Sequence, residues 1–206
     1  MEEKDIHSEL ASIRSMMERS SRFLSLSGLS GVISGIYALI GAFIGYRLVI
    51  EKYGSLTISD SYLDNPLIYH QLLLIAGIIL LLSILTCLIL SIREAKKKGE
   101  NYWNPVSKRL IISMATPLFT GALFIIILLL KAEYNLIASS SLIFYGLSLI
   151  SASQFTFSDV KWLGFCQITL GLLAALSPES GLILWAFGFG VLHIIYGTFM
   201  HFKYNR

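Results

Sequence analysis

Charged residues are scarce in this chain, and their scarcity excludes an ordinary soluble domain. Asp, Glu, Lys and Arg make up 14% of its 206 residues, whereas soluble domains usually contain about 25%. The charges form short clusters, and the apolar segments between them reach the roughly 20 residues that a helix needs to cross a bilayer. With 55% hydrophobic residues and a mean hydropathy of +0.70, the chain is predicted to be a polytopic membrane protein.

Cysteine is also rare, and the common catalytic and metal-binding motifs are missing. Cys87 and Cys166 are the two cysteines, and each is predicted to be a reduced thiol that packs like a small hydrophobic residue. A metal or redox pair is the alternative. The sequence contains no HxxxH, HxxE or CxxC spacing, no P-loop and no hydrolase elbow. It therefore predicts a protein that is not an enzyme and that holds no metal and no cofactor.

Six apolar segments determine the predicted fold. They are Phe23–Ile50, Ile68–Ile92, Leu110–Leu130, Tyr134–Phe155, Val160–Ser177 and Gly181–Phe202. Backbone groups in hydrocarbon must be hydrogen-bonded internally, so such segments form helices or a closed barrel. Barrel strands alternate apolar and polar residues, and the segment "LIAGIILLLSILTCLIL" does not. The predicted fold class is all-α, a transmembrane bundle of six helices in three hairpins that occupies residues 23–206.

The positions of Lys and Arg predict the orientation of this bundle. One side carries Lys4, Arg14, Arg19, Arg22, Lys161, Lys203, Arg206 and a basic loop with Arg93, Lys96, Lys97, Lys98, Lys108 and Arg109. The other side carries Arg47, Lys52 and Lys131. The positive-inside rule then places both termini in the cytoplasm. The basic loop is predicted to touch anionic lipid headgroups, and no nucleic-acid partner is expected.

Residues 1–22 are predicted to form a separate, cytoplasmic amphipathic helix. Apolar residues from Ile6 to Met17 recur at helical spacing, and Arg14 and Glu18 are opposite charges four residues apart. Such a helix lies on the inner surface of the membrane. A docking site for a cytoplasmic protein partner is the alternative interpretation.

Small residues recur at the spacing that lets transmembrane helices approach closely. The glycines predicted to lie at helix–helix contacts are Gly31, Gly35, Gly171, Gly190 and Gly197. Because a very short turn joins the fifth and sixth helices, we expect the glycine stripes of these two helices to face each other. The pairs Tyr145–Gly146 and Tyr196–Gly197 end two similar hairpins, which favours an internal repeat.

A histidine inside the last apolar segment is the main candidate for a functional polar residue. His193 lies near the predicted bilayer midplane, where polar side chains usually face the bundle interior. A rise of 1.5 Å per residue places Thr169 near the depth of His193, and Gln167 near that of Tyr196. These four residues form the candidate polar or ligand site. An interhelical hydrogen bond is the plainest interpretation; a proton relay, haem ligation or substrate contact are the alternatives.

Two segments carry a resemblance to known membrane proteins. "RSMMERSSRFLSLSGLSG" and "GLILWAFGFGVLHIIYG" resemble a group of six-helix bacterial inner-membrane proteins, which implies no particular activity. The hairpin pattern around "LSPESG" is similar to that of the HdeD-type short-repeat membrane family, and this likeness implies a stress role in the inner membrane. The second helix departs from that pattern, and neither resemblance transfers a functional residue.

The sequence therefore predicts an integral inner-membrane protein of a non-enzymatic accessory, sensory or scaffold type. The alternative is a small-solute or ion transporter or channel with a polar track near His193. An ion-coupled transporter usually carries an acidic or basic residue inside the membrane, and every Asp and Glu here maps to a loop or a helix end. The lipid bilayer is the expected partner, and assembly of several copies is left open.

Overall fold

The computed structural model describes residues 27–53, 66–99 and 102–204, and every regular element in these ranges is helical. Six helices follow one another. They are α1 (Gly28–Tyr53), α2 (Pro66–Lys97), α3 (Pro105–Leu130), α4 (Ile137–Ala152), α5 (Val160–Leu176) and α6, which joins Gly181–Ala186, Phe187–Leu192 and His193–Tyr204. The predicted all-α class is confirmed for these ranges. The predicted amphipathic helix of residues 1–22 lies outside the described residues.

Five of these helical segments are long and apolar enough to cross a membrane. They are Gly28–Ile50, His70–Lys97, Pro105–Leu130, Tyr134–Ala152 and Pro178–Tyr204. The fifth helix in chain order, α5, is apolar but has only 17 residues. The chain therefore has the helices of a multi-pass membrane protein, with α5 at the short end of the range that can span hydrocarbon.

The start of α3 shows a helix signal that hydropathy alone misses. This helix begins at Pro105 rather than at the predicted Leu110. The side chain of Asn104 accepts a bond from the Ser107 backbone N at 2.8 Å, and the Ser107 hydroxyl accepts one from the Asn104 backbone N at 3.0 Å. This capping box, with proline at the first helical position, begins a helix before its apolar residues start.

The helices pack in an order that differs from their order in the chain. The first helix packs against α2 and α6, and α4 packs against α3 and α5, while α6 also touches α4 and α5. The last helix therefore links the two groups. At the edges, α2 and α3 expose large apolar side chains such as Leu74, Leu81 and Phe119, as lipid-facing helices do.

Glycines mark the closest helix contacts. A Cβ on Gly197 of α6 would lie 2.6 Å from the Val32 backbone N and 2.7 Å from the Gly28 carbonyl oxygen of α1. A Cβ on Gly146 of α4 would lie 2.6 Å from the Gly164 carbonyl oxygen of α5. The predicted pairing of the glycine stripes of α5 and α6 is therefore wrong: the α5 stripe faces α4, and the α6 stripe faces α1.

The remaining packing glycines follow the same division. A Cβ on Gly35 would lie 2.7 Å from the carbonyl oxygen of Gly190, and one on Gly31 would lie 3.2 Å from the Cα of Gly197. A Cβ on Gly171 would lie 3.0 Å from the Ser139 carbonyl oxygen of α4. Each of the five glycines thus lies where another helix comes close, which is where small residues are enriched in membrane bundles.

Serine hydroxyls add interhelical bonds on both sides of α4. The hydroxyl of Ser139 donates to the Gly171 carbonyl oxygen of α5 at 2.8 Å. On the opposite side, Ser148 donates to the Met114 carbonyl oxygen of α3 at 3.1 Å. Such bonds satisfy buried hydroxyls and fix the register of neighbouring helices.

Candidate functional site

The candidate site forms where α6 departs from regular α-helical geometry. Residues Phe187–Leu192 form a π-helical turn, a rare feature that often marks functional positions. Gly188 is buried in this turn, and a Cβ there would lie 2.6 Å from both Oε1 of Gln167 and a methyl carbon of Leu142. A Cβ at this position would therefore displace the side chains of Gln167 and Leu142.

His193 follows the π turn and is hydrogen-bonded through both ring nitrogens. Its Nδ1 lies 3.0 Å from the Gly188 carbonyl oxygen, and its Nε2 lies 2.8 Å from the Tyr145 hydroxyl of α4. Because a carbonyl only accepts, Nδ1 carries the proton and Nε2 accepts from Tyr145, which defines one neutral tautomer. The residue is 7% exposed, so the ring is held inside the bundle.

Gln167 brings α5 into the same network. Its side chain is fully buried, and its Nε2 donates to the Gly188 carbonyl oxygen at 2.7 Å. The same Nε2 lies 3.5 Å from Nδ1 of His193. The Gly188 carbonyl oxygen thus accepts hydrogen bonds from Gln167 of α5 and from His193 of α6. The Gln167 bond links α5 to α6.

Aromatic rings surround the network toward the start of α6. The ring centroid of Phe189 lies 5.0 Å from that of Tyr145 and 5.9 Å from that of His193. Trp185 packs on the other side of Phe189, again at 5.0 Å. The α6 face before His193 is therefore aromatic, with offset ring contacts of the kind that stabilise packed cores.

The α6 face after His193 carries hydroxyl groups toward the end of the helix. Tyr204 donates to Asp159 at 2.9 Å, and Lys203 donates to the same carboxylate oxygen at 2.6 Å. Lys203 lowers the pKa of Asp159 below its ordinary value, desolvation opposes this, and the Tyr204 bond adds to the lowering. These bonds attach the end of α6 to the turn between α4 and α5.

Tyr196 lies between His193 and this carboxylate. Its hydroxyl oxygen is buried and has no hydrogen-bond partner among the described residues. Its ring packs against the buried apolar cluster that includes Leu149, Leu163 and Met200. A buried hydroxyl without a partner is unfavourable, so this position calls for a further hydrogen-bonding group.

The structure brings together two of the four predicted site residues, Gln167 and His193. Gln167 bonds at the His193 site, and Tyr196 lies one helical turn beyond it. Thr169 does not join them, because its side chain is exposed and donates to the Phe165 carbonyl oxygen of its own helix. Depth along the helix placed Thr169 beside His193, but a residue two positions from Gln167 points to nearly the opposite side of α5.

The predicted basic loop lies at the end of α2 and the start of α3. Lys96, Lys97 and Arg109 are exposed, Lys98 pairs with Glu94 at 3.6 Å, and Lys108 lies 5.5 Å from the ring centroid of Trp103. Burial raises the pKa of Tyr102, with a further contribution from Cys87. Its exposed charges and exposed Trp103 suit an interface with lipid headgroups.

Sequence reasoning missed Tyr145, Gly188 and Asp159 as members of the site. A weak signal for Tyr145 is present in the sequence, since Tyr145–Gly146 repeats the Tyr196–Gly197 pair. The repeated glycines Gly188 and Gly190 next to His193 were a signal for irregular helix geometry. The Asp159 contact depends on tertiary packing and has no local signal.

Within residues 27–53, 66–99 and 102–204, no group of three or more His, Cys, Asp or Glu side chains is placed to hold a metal ion. Comparisons with protein-family models, with curated proteins and with solved structures found no match to this chain.

Proposed function

We propose that this chain is a non-enzymatic, sensory protein of the bacterial inner membrane, in which the network at His193 couples α6 to α4 and α5. The observation that carries the proposal is the Gly188 carbonyl, which accepts bonds from Gln167 and His193 at a π turn. A change in either side chain alters the bonding of the turn and thereby the position of the helix beyond it.

The proposed topology has six crossings, with α5 as the short one. Its 17 residues are at the lower limit of the range for a spanning helix. Basic residues support a cytoplasmic location for one end of the bundle, hereafter the basic end. Described basic residues at this end are Arg93, Lys96, Lys97, Lys98, Lys108, Arg109, Lys161 and Lys203. This asymmetry follows the positive-inside rule.

A sensory role is supported by the way the π turn is held. π turns are short departures from a helix that is otherwise α-helical, and regular α-helical bonding is the alternative arrangement of α6. The described one is held by side chains from α4 and α5, through Tyr145 and Gln167. Loss of these bonds favours a shift in register, which moves the end of α6 that holds Asp159.

The transporter alternative is less well supported by the described side chains. A transport route needs polar groups on both sides of a central site. Tyr196 and Tyr204 follow His193 toward the basic end, whereas the same α6 face continues in the other direction with Phe189 and Trp185. A site with polar groups on one side alone is more consistent with a receptor than with a transport pathway.

The test measures whether the basic end responds to a change at His193. A single cysteine at the exposed position Ser158, in a chain with Cys87→Ala and Cys166→Ala, is alkylated by a water-soluble maleimide in permeabilised membranes, because the proposed topology places this position in the cytoplasm. We expect Tyr145→Phe to change the alkylation rate severalfold while the melting temperature in detergent falls only slightly. The control is Tyr37→Phe in α1. An unchanged rate in the folded Tyr145→Phe protein would overturn the sensory proposal.

A further inference from the structure

One side of α5 carries a stripe of exposed side chains that runs the length of the helix. Its members follow the i, i+3, i+4, i+7 spacing of one helix face. They are Trp162, Phe165, Cys166, Thr169, Leu172 and Leu176, hereafter the α5 lipid face. Phe165, Leu172 and Leu176 are 49%, 54% and 81% exposed, so none of the described helices covers this face.

The two least apolar members of the α5 lipid face are compatible with hydrocarbon. The Thr169 hydroxyl donates to the Phe165 carbonyl oxygen of its own helix at 3.0 Å, so it needs no partner from water or from another helix. Cys166 is a free thiol, which behaves as a small hydrophobic group. The whole face can therefore contact acyl chains without leaving a polar group unsatisfied.

Charged groups limit the height of this face at both ends. At the basic end, exposed Lys161 precedes it, with Nζ 5.3 Å from the ring centroid of Trp162. Lysine and tryptophan together are typical of the headgroup region. At the other end, α5 stops at Leu176, and the exposed carboxylate of Glu179 follows three residues later. A carboxylate is costly in hydrocarbon, so the apolar surface ends with the helix.

The α5 lipid face is shorter than the hydrocarbon core of an ordinary bilayer. At the α-helical rise per residue, Trp162 and Leu176 lie about 21 Å apart along the axis, whereas the hydrocarbon core is about 30 Å thick. The exposed apolar side chains of α3 run from Ile111 to Leu130, a distance of about 28 Å by the same rise. The surface of the bundle thus matches the bilayer at α3 and is too short at α5.

The helix beside α5 does not compensate for this difference. With 16 residues, α4 is also short, and its Ser139 donates to the Gly171 carbonyl oxygen of α5, so the two helices lie at the same depth. A hydrophobic surface that is too short is accommodated by thinning of the bilayer and by flanking side chains that reach the headgroups. Lys161 can reach outward in this way, but the apolar gap at Leu176 remains.

We propose that the α5 lipid face binds phospholipids with short acyl chains in preference to long ones, and that bilayer thickness is the signal to which the network at His193 responds. The inference rests on the proposed function, which includes both the membrane crossing of α5 and the response of the network. The ligand is the bilayer itself, recognised by the length of its acyl chains.

Gln167 connects the α5 lipid face to the network. It follows Cys166 of that face in the chain, but its side chain is fully buried and donates to the Gly188 carbonyl oxygen at 2.7 Å. Because α5 is one α-helix, a change in its tilt moves Gln167 together with the lipid-facing side chains. A thick bilayer favours an upright α5 and a thinner one allows tilt, so bilayer thickness changes the geometry of the bond at the π turn.

The lipid preference is measured by the quenching of tryptophan fluorescence with brominated phosphatidylcholine in nanodiscs. The full chain carries Trp103→Phe, Trp162→Phe and Trp185→Phe, and a reporter is introduced as Phe165→Trp on α5 or as Phe119→Trp on α3. The two positions are matched, since each is an exposed phenylalanine, at 49% and 67%. Unbrominated phosphatidylcholine with fourteen-carbon or twenty-two-carbon chains competes with the brominated lipid.

We expect the ratio of short-chain to long-chain binding constants to be about threefold higher at position 165 than at position 119, because the mismatch penalty grows with each ångström. Native Trp162, in a chain with Trp103→Phe and Trp185→Phe, is a second reporter and should show the same preference. Equal ratios on α5 and α3 would overturn the proposal. An indole at position 165 that brominated lipid does not quench would show that protein, such as a second copy of the chain, covers this face, and would also overturn it.

The signal is measured separately with the single cysteine at position 158 and a water-soluble maleimide, in the same two lipids. We expect the alkylation rate to differ severalfold between them, and the difference to disappear in Gln167→Leu, which keeps the α5 lipid face but lacks the bond to Gly188. Thr169→Val, which leaves that bond in place, is the control and should retain the difference. A difference that persists in Gln167→Leu would reflect only the depth of position 158 and would reject bilayer thickness as the signal.

Failure of this inference differs from failure of the proposed function. A short-chain preference at position 165, together with a cysteine at position 158 that does not respond to Tyr145→Phe, keeps the lipid surface and rejects the sensory role. A responsive cysteine together with equal binding ratios keeps the sensory role and rejects bilayer thickness as its signal.

Discussion

Nε2 of Gln167 on α5 lies 2.7 Å from the carbonyl oxygen of Gly188 on α6. This single bond joins a fully buried amide to the π turn of the neighbouring helix. Inside a membrane there is little hydrophobic drive between helices, so packing and interhelical hydrogen bonds hold them together. The bond therefore contributes both to the stability of the bundle and to the geometry of the His193 site.

Replacing Gln167 with leucine should destabilise the protein modestly. The substitution keeps the volume similar and removes the donor to Gly188, and interhelical bonds of this kind are worth about 0.6–2 kcal/mol. The melting temperature in detergent should fall accordingly. Thr169→Val is the matched control, because that exposed side chain bonds only within its own helix and should leave the melting temperature nearly unchanged. Equal effects of the two substitutions would contradict a special role for Gln167.

The sequence predicted the members of this site better than its bonds. His193 and Gln167 stand out because polar residues are rare in such apolar helices. Their partner Tyr145 is indicated only weakly, by the repeat of the Tyr196–Gly197 pair, since tyrosine is common near membrane interfaces and its helix carries several polar residues. The π turn changes which residues face α5, and hydropathy contains no information about such local geometry.

Adding one methyl group at Gly197 should loosen the α1–α6 contact. A Cβ there would meet two backbone atoms of α1, at 2.6 and 2.7 Å, and backbone cannot move aside as a flexible side chain can. Overpacking of this kind typically destabilises by about 1–3 kcal/mol, which thermal unfolding in detergent would detect. Gly77→Ala is the control, because a Cβ on Gly77 has no neighbour within 4 Å and alanine favours the helix. A stable Gly197→Ala protein would argue against the described packing.

Helix positions followed from hydrophobic length, whereas helix pairing did not. A run of apolar residues must become a helix in hydrocarbon, so five spanning segments could be located from the sequence. Which helices touch depends on matching surfaces of small residues, and the glycines of α5 and α6 could equally have faced each other. In the structure Gly164 of α5 packs against α4, and Gly190 of α6 packs against α1. Only three-dimensional packing decides between these pairings.

The ion pair at the basic end should make stability depend on pH in acid. Lys203 lowers the pKa of Asp159 below its ordinary value of 3.8. A lowered carboxyl pKa stabilises the folded state fully above the ordinary value, and this contribution is lost as the pH falls through the folded-state pKa. Because the two side chains are 45% and 24% exposed, solvent screening keeps this contribution small.

The measurement compares the parent chain with Asp159→Asn between neutral pH and pH 3. The difference in melting temperature should be constant at neutral pH and should shrink in acid. Glu94→Gln removes the longer pair with Lys98, at 3.6 Å, and serves as the control for a loss of one surface carboxylate. A difference that grows as the pH falls would have the wrong sign and would contradict the proposed attachment of α6 to the α4–α5 turn.

The orientation of the bundle can be tested with single cysteines at opposite ends. Lys97 and Lys131 are both exposed; the first ends α2 and the second follows α3, so one spanning helix separates them. In intact cells, a membrane-impermeant maleimide should label Lys131→Cys at once and Lys97→Cys only after the membrane is permeabilised, because basic loops stay in the cytoplasm. Both variants carry Cys87→Ala and Cys166→Ala. Labelling of position 97 in intact cells would show that the topology is the reverse of the proposed one. The hydroxyl-lined side of His193 would then face the outside of the membrane.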